Sequence, residues 1–295
     1  MKKIDSRLYS ILFTGILCVS TGSIFARIAD ASSLVIAAYR VGLAGFLLLP
    51  FALVFSRDEF RKLKISDWVL GFTAGAFLAL HFYFWITSLE FTTVAASVVL
   101  VTTNPIWVGI LSPLLGEKIN LMTASGIIIS FSGALIIGWN DLLSGGQALF
   151  GDLLALAGAI CMTGYLLTGR FIRKKVSLLP YVTLCYGSAG LFLWIAVLFS
   201  GLPFRGFSIS TWVTLPAMAI IPQIIGHTAY NWSLKYVSAP MVAVTLLGEP
   251  VFSPLMAWFF LEESLTLPVF AGALVIMTGI FFAARGEQSL RRENI

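Results

Sequence analysis

Apolar residues dominate ten stretches of the chain, near 8–28, 33–55, 67–88, 92–114, 119–138, 150–169, 179–200, 209–233, 238–260 and 266–284. Each is close to the roughly 20 residues a helix needs to cross about 30 Å of hydrocarbon. Inside the stretches the apolar positions are continuous rather than alternating with period two. This predicts helices and not the strands of a barrel, since only those two structures satisfy their own backbone polar groups in lipid. The segments between the stretches are short and leave no room for a soluble domain. The expected fold is therefore an all-α membrane protein of ten transmembrane helices.

Composition agrees. The hydrophobic fraction is 58% and the charged fraction 11%, against roughly 25% charged in ordinary soluble proteins. That is too few polar groups to cover a water-facing surface. The net charge of +5 could suggest nucleic-acid binding, but the charges sit in the short loops, so no nucleic-acid partner is expected. Lys2, Lys3 and Arg7 precede an apolar run as in a signal peptide. The run from Leu8 to Ile28 is long enough to span, however, and no small-x-small cleavage site follows, so it is read as the first helix. Cys18, Cys161 and Cys185 all lie inside apolar runs and are read as packing residues.

The basic residues set the orientation. With the N-terminus inside, 16 Lys and Arg fall on the inner side, including Arg57, Lys118, Arg170, Arg173 and Arg285, and only Arg27 and Arg205 fall outside. By the positive-inside rule both termini are expected in the cytoplasm, with the chain in the cytoplasmic (inner) membrane.

The chain also matches itself at an offset of 145 residues. Gly45 falls on Gly190, Ser88-Leu89 on Ser233-Leu234, Pro105 on Pro250 and Glu117 on Glu262; one residue later in offset, Gly126 and Gly133 fall on Gly272 and Gly279. Two repeats are expected, at 1–142 and 149–285, followed by a cytoplasmic tail at 286–295. Five helices per repeat is an odd number, so the second repeat must be inverted relative to the first. Inverted repeats are an architecture of secondary transporters, with substrate near the midplane between halves that rock.

The segment from Trp232 to Glu263, Trp-Ser-Leu-Lys-Tyr-Val-Ser-Ala-Pro-Met-Val-Ala-Val-Thr-Leu-Leu-Gly-Glu-Pro at its start, resembles the hallmark of the EamA family of the drug/metabolite transporter superfamily. A weaker copy runs from Ser88 to Glu117, and the resemblance covers essentially the whole chain. It implies a ten-helix metabolite transporter, usually an exporter, with a central cavity lined by both repeats. Relatives of this kind move amino acids, including aromatic ones, while others carry choline-like amines, S-adenosylmethionine or sugars.

Polar side chains in hydrocarbon are costly and so mark candidate sites. Glu249 lies eleven residues from each end of its run, with Asn104 as its repeat mate. Proline follows each of them, and proline disturbs the carbonyl four residues earlier, at Val101 and Leu246. Glu249 is read either as a ligand-facing group or as a packing residue with a structural partner. Burial disfavours the charged carboxylate, which makes a proton the candidate coupling ion. Arg40 is expected to pair with Glu249 or to snorkel to the nearer surface. Gln223, His227, Tyr230 and Asn231 form one polar stripe at helical spacing, and His81, Trp85 and Ser88 share a second face. Ser97, Asn104 and Trp107 are read in one register, with Thr245 and Ser253 a turn either side of Glu249.

Aromatics are abundant, with 24 Phe, 8 Trp and 8 Tyr. Trp68, Trp139 and Trp212 are expected as interface anchors, and Trp85, Trp107 and Tyr230 as rings that enclose a substrate. Gly71 with Gly75, Gly42 with Gly45, and Gly187 with Gly190 are read as close-packing positions. No metalloprotease, nucleophile-elbow or phosphate-loop motif occurs, so no enzyme, cofactor or metal is expected. The expected partners are a small-molecule substrate and membrane lipid, and a monomer should suffice. The first expectation for the substrate is a neutral or aromatic amino acid; the second is an organic cation.

Overall fold

The computed structural model describes residues 2–116, 119–144 and 146–293. Glu117 and Lys118, which entered the repeat comparison and the charge pattern, lie outside the described residues. The chain is helical throughout, in the order α1 Lys2–Ile28, α2 Ser33–Phe55, a short α3 Arg57–Lys62, α4 Ile65–Ser88, α5 Val94–Val101, α6 Asn104–Leu111, α7 Leu121–Ser144, α8 Gln147–Arg173, α9 Leu178–Ser200, α10 Ile209–Met218, α11 Thr228–Ser233, α12 Ala239–Leu246, α13 Glu249–Leu261 and α14 Leu267–Glu293. A π-helical segment, Ala219–His227, joins α10 to α11 without interruption.

Among the described residues nine spans are long and apolar enough to cross a membrane, counting α5 with α6, α10 with α11, and α12 with α13. The predicted stretch at 119–138 coincides with α7, whose described apolar part, Leu121–Gly133, is shorter than a crossing requires. The expected tail from 286 instead continues α14 as far as Glu293. Bulky apolar side chains such as Phe55, Phe199, Leu121 and Leu274 stand exposed on the outside. Exposure of this kind suits a surface facing lipid rather than water.

Local chemistry explains the helix ends. Side chains of Thr93, Ser208 and Ser238 accept from the backbone N–H three residues on, at Ala96, Thr211 and Met241. These side chains satisfy N–H groups that a helix start leaves free. Gly201 closes α9 in the left-handed conformation, with φ of 69°.

The breaks in the fourth and ninth predicted runs matter most. Pro105 and Pro250 stand in the first turn of α6 and α13. Neither can donate a hydrogen bond to the residue four back, so α5 stops at Val101 and α12 at Leu246. The two intervening residues tighten: Thr103 N–H reaches Leu100 O at 3.2 Å and Gly248 N–H reaches Thr245 O at 3.1 Å. A third disturbance is the π segment, which contains Pro222 and opens its turns.

Small residues let the helices touch backbone to backbone. A methyl placed on Gly75 of α4 would collide with Ser188 of α9, and one on Gly71 with Leu184. On α2, a Cβ at Gly45 would sit 2.8 Å from Gly187 N, and one on Gly190 would sit 2.7 Å from Gly42 Cα. The α7–α14 pair meets through Gly126, Gly133 and Gly279 in the same way. The three glycine pairs singled out in the sequence are therefore contact points between α2, α4 and α9.

Candidate functional site

Where the two broken helices meet, a cavity opens that α1, α2, α4, α8 and the π segment close around. Val101, Thr102 and Asn104 line it from one break, and Leu246 and Glu249 from the other. The breaks thus bring residues 145 positions apart in sequence to one place. Total empty space here is about 320 Å³, little of it wide enough for a water molecule.

Glu249 is the first residue of α13 and is buried. No hydrogen bond or ion pair to its carboxylate occurs among the described residues. Asn104 begins α6, and both its amide atoms are buried without a partner. Buried polar atoms are almost always paired, so an unpaired set around a cavity makes it the candidate place for a ligand or water.

Arg40 corrects the expectation from sequence. Its side chain is 0% exposed, so it does not snorkel, and no carboxylate lies within ion-pair distance among the described residues. Instead Nε donates to Gln223 Oε1 at 3.0 Å, and the guanidinium stacks 3.9 Å from the Phe82 ring centre and 5.4 Å from that of Trp85. Both terminal nitrogens remain without a partner. Room for this group comes from Gly22 of α1, where a Cβ would stand 3.2 Å from an Arg40 terminal nitrogen.

The aromatic wall is built from α4. His81 and Trp85 are one turn apart, and their rings stack with centres 6.2 Å apart and planes within 5°. His81 Nδ1 donates to Gly158 O at 2.9 Å, which leaves Nε2 as an acceptor when the ring is neutral. Across the cavity His227 lies 6.4 Å from His81 and 5.1 Å from Phe82, ring centre to ring centre. Its Nδ1 is buried and unpartnered.

Of the ten residues singled out in the sequence, Arg40, His81, Trp85, Asn104, His227 and Glu249 line the cavity together. Gln223 stands behind Arg40 and holds it. Tyr230 and Asn231 do not reach the cavity. Tyr230 is buried against Gly15 of α1, and Asn231 turns to α9, donating from Nδ2 to Tyr186 Oη at 3.0 Å. Asn231 also accepts from Arg173 Nε through its backbone oxygen at 3.0 Å. The predicted four-residue stripe is thus divided between two environments, because the π segment shifts the helix phase between Gln223 and Asn231.

Trp107 is 37% exposed on the outside. The buried strip of α6 is Asn104, Pro105 and Val108. At about 100° per residue Trp107 falls roughly 60° from Asn104, 100° from Val108 and 160° from Pro105, so it lies at the exposed edge of the helix, beyond that strip. Ser88 and Ser97 bond to each other at 2.6 Å, Thr245 bonds back to Met241 O, and Ser253 reaches Ser20 O at 3.2 Å. These four are helix-packing groups. Phe82, Gly22, Val19 and Met162 were missed from sequence, since one Phe among 24 and one Gly beside Arg40 carry no local signal.

The Asn231 contact yields a stability test. Tyr186→Phe removes the oxygen that accepts from the buried Asn231 amide and bonds Thr228 Oγ1. A cost of about 1–3 kcal/mol is expected, read as a lower midpoint in denaturant unfolding in micelles; an unchanged midpoint would show that the pair adds nothing.

Comparison with known proteins extends these observations. The EamA-like transporter family matches twice, at residues 7–139 and 149–285. An uncharacterized transporter of Archaeoglobus fulgidus is 24% identical over 270 residues, covering 90% of this chain and 92% of the relative. The uncharacterized transporters YoaV and YyaM of Bacillus subtilis are 25% and 24% identical, over 65% and 84% of this chain and 67% and 83% of their own lengths. A solved crystal structure with 20% identity superposes with a TM-score of 0.78 over 97% of this chain and 99% of its own, which supports the fold. With nine candidate spans among the described residues and family matches over both halves, this chain is a multi-pass membrane protein that belongs to the EamA-like transporter family.

Proposed function

We propose that the protein is a secondary transporter of the cytoplasmic membrane that works by alternating access and exports neutral or aromatic amino acids. In this reading the chain crosses the membrane ten times, as two inverted repeats at 1–142 and 149–285, with both termini in the cytoplasm. The single observation that carries it is the buried cavity at the meeting of two helix breaks, with unpartnered polar atoms of Arg40, Asn104 and His227 around it. Discontinuous helices meeting at mid-depth are how secondary transporters build substrate sites.

The packing supports an exchange symmetry between the halves. The start of α5 and the end of α4 are tied to α1 through Arg27, which donates to Thr92 O at 2.8 Å. In the second half α8 is tied to the end of α11 through Arg170 and Arg173, which donate to the backbone oxygens of Leu234 and Asn231. An inverted repeat puts these two clamps on opposite faces of the membrane, where releasing one at a time opens one side. The narrowness of the cavity fits a closed form between those two openings.

Trp85, Phe82 and His81 supply apolar faces for an amino-acid side chain, while the polar atoms opposite orient its backbone groups. A second reading, transport of an organic cation such as a choline-like amine or S-adenosylmethionine, draws on the unpaired Glu249 carboxylate, which lines the same cavity as Trp85. A counterflow assay separates them. Proteoliposomes preloaded with unlabelled phenylalanine, tryptophan or leucine should accumulate the labelled compound above protein-free vesicles. Accumulation of labelled choline or S-adenosylmethionine instead, with none of the amino acids, would move the assignment to the second reading. A proton as coupling ion requires that a pH gradient drive net uptake in the same vesicles.

A further inference from the structure

We propose that Arg40 anchors the carboxylate of the transported molecule, so that the site takes a zwitterion with its carboxylate on Arg40 and its ammonium toward Glu249, and rejects plain organic cations. This rests on the transporter reading above and deepens it.

An arginine wholly removed from solvent has five N–H donors to satisfy. Arg40 spends one on Gln223, and its two terminal nitrogens find no acceptor. Phe82 and Trp85 lie against the guanidinium face and stabilise its charge without using an N–H. What remains is a planar guanidinium with unused donors on a residue that lines the cavity. That is the geometry arginine uses to hold a carboxylate through two parallel hydrogen bonds.

Three features hold the group for this task. The Gln223 bond fixes Nε, so the terminal nitrogens cannot swing back to the protein. Gly22 leaves the space that any larger residue would take from a terminal nitrogen. Glu249 lines the same cavity yet stays beyond ion-pair distance, so the guanidinium and the carboxyl group face the same space without a direct contact. A buried charge left this way is unfavourable until a ligand of opposite charge arrives. A molecule carrying an ammonium and a carboxylate group close together satisfies both at once, and the apolar faces of Trp85, Phe82 and Val101 receive the rest of it. A monovalent amine would meet Glu249 but be repelled by Arg40.

The test uses the whole protein in detergent with a fixed set of probe compounds. Thermal unfolding is followed with L-phenylalanine, L-tryptophan and L-leucine, with the carboxamide of each, with the decarboxylated amine of each, and with choline. A ligand that binds only the folded form raises the melting temperature. Stabilisation by at least one acid, absent with its amide and amine, is expected. Arg40→Gln should weaken that acid by on the order of 100-fold, and Arg40→Lys by less, because the charge survives and the planar edge does not. If Arg40→Gln fails to fold, the acid-to-amide comparison on the unaltered protein decides alone.

Equal stabilisation by amides or amines overturns the anchor, as does a folded Arg40→Gln that binds the acid unchanged. So does a panel in which no acid stabilises. The transport reading fails separately. Carboxylate-specific, Arg40-dependent binding with no counterflow would sink it and leave the anchor, whereas counterflow of choline would do the reverse.

Discussion

Glu249→Gln is expected to bring counterflow close to that of protein-free vesicles, with the protein still folded and monodisperse. Gln has the same shape and fits the same space at the start of α13, where no hydrogen bond or ion pair among the described residues depends on the carboxylate. Packing should therefore survive. What the change removes is the negative charge facing Arg40 across the cavity, and with it the carboxylate among the lining residues that can hold an ammonium by charge. Loss of one partner of a desolvated charge pair costs on the order of 100-fold in affinity. Glu249→Asp keeps the charge and shortens the reach, so partial transport is expected. Full activity in Glu249→Gln would make this residue a packing group, the alternative that its sequence context left open.

A comparably large effect is expected on stability from one added methyl. Gly279→Ala on α14 drives a Cβ into Ser130 and to 2.6 Å from Gly126 O, both on α7. Those neighbours are backbone or a buried Ser130 whose hydroxyl is bonded to Ile276 O at 3.2 Å. Nothing flexible is present to give way, so the helices must separate and lose contact along their length. Overpacking of this kind costs about 1–3 kcal/mol and here should reach the upper end. Gly187→Ala on α9 is the matched control. A Cβ there meets nothing within 4 Å, and alanine suits a helix better than glycine by about 1 kcal/mol. Unfolding in mixed micelles should show a large fall for the first and no fall for the second. Equal behaviour would mean that the α7–α14 contact is looser than its backbone distances imply.

The sequence was informative wherever a property is local. Twenty apolar residues in a row must be helical in lipid whatever surrounds them, so the extents of α2, α4, α9 and the paired half-helices were legible within a few residues. Glycines at Gly71, Gly75, Gly42 and Gly45 announced close packing because nothing larger lets two backbones touch. Pro105 and Pro250 announced disturbed helices because a missing N–H acts on the residue four back in the same chain.

Arg40 shows where that reasoning ends. Whether it would snorkel or pair with Glu249 depended on Gln223, 183 residues away, on Phe82 beneath it and on the space left by Gly22. No spacing rule links those four positions. Asn231 went astray because helical phase was carried through a π segment that resets it, and Trp107 because three residues after Asn104 on the same α6 is already the exposed edge of that helix. Hydrophobic length and the chemistry of single residues are written along the chain, and from them follow the helical class, the number of apolar runs and the sites of the breaks. Which polar groups face one another across a cavity is decided by helices far apart in sequence, and only their packing brought Arg40, Asn104, His227 and Glu249 together while turning Trp107 outward.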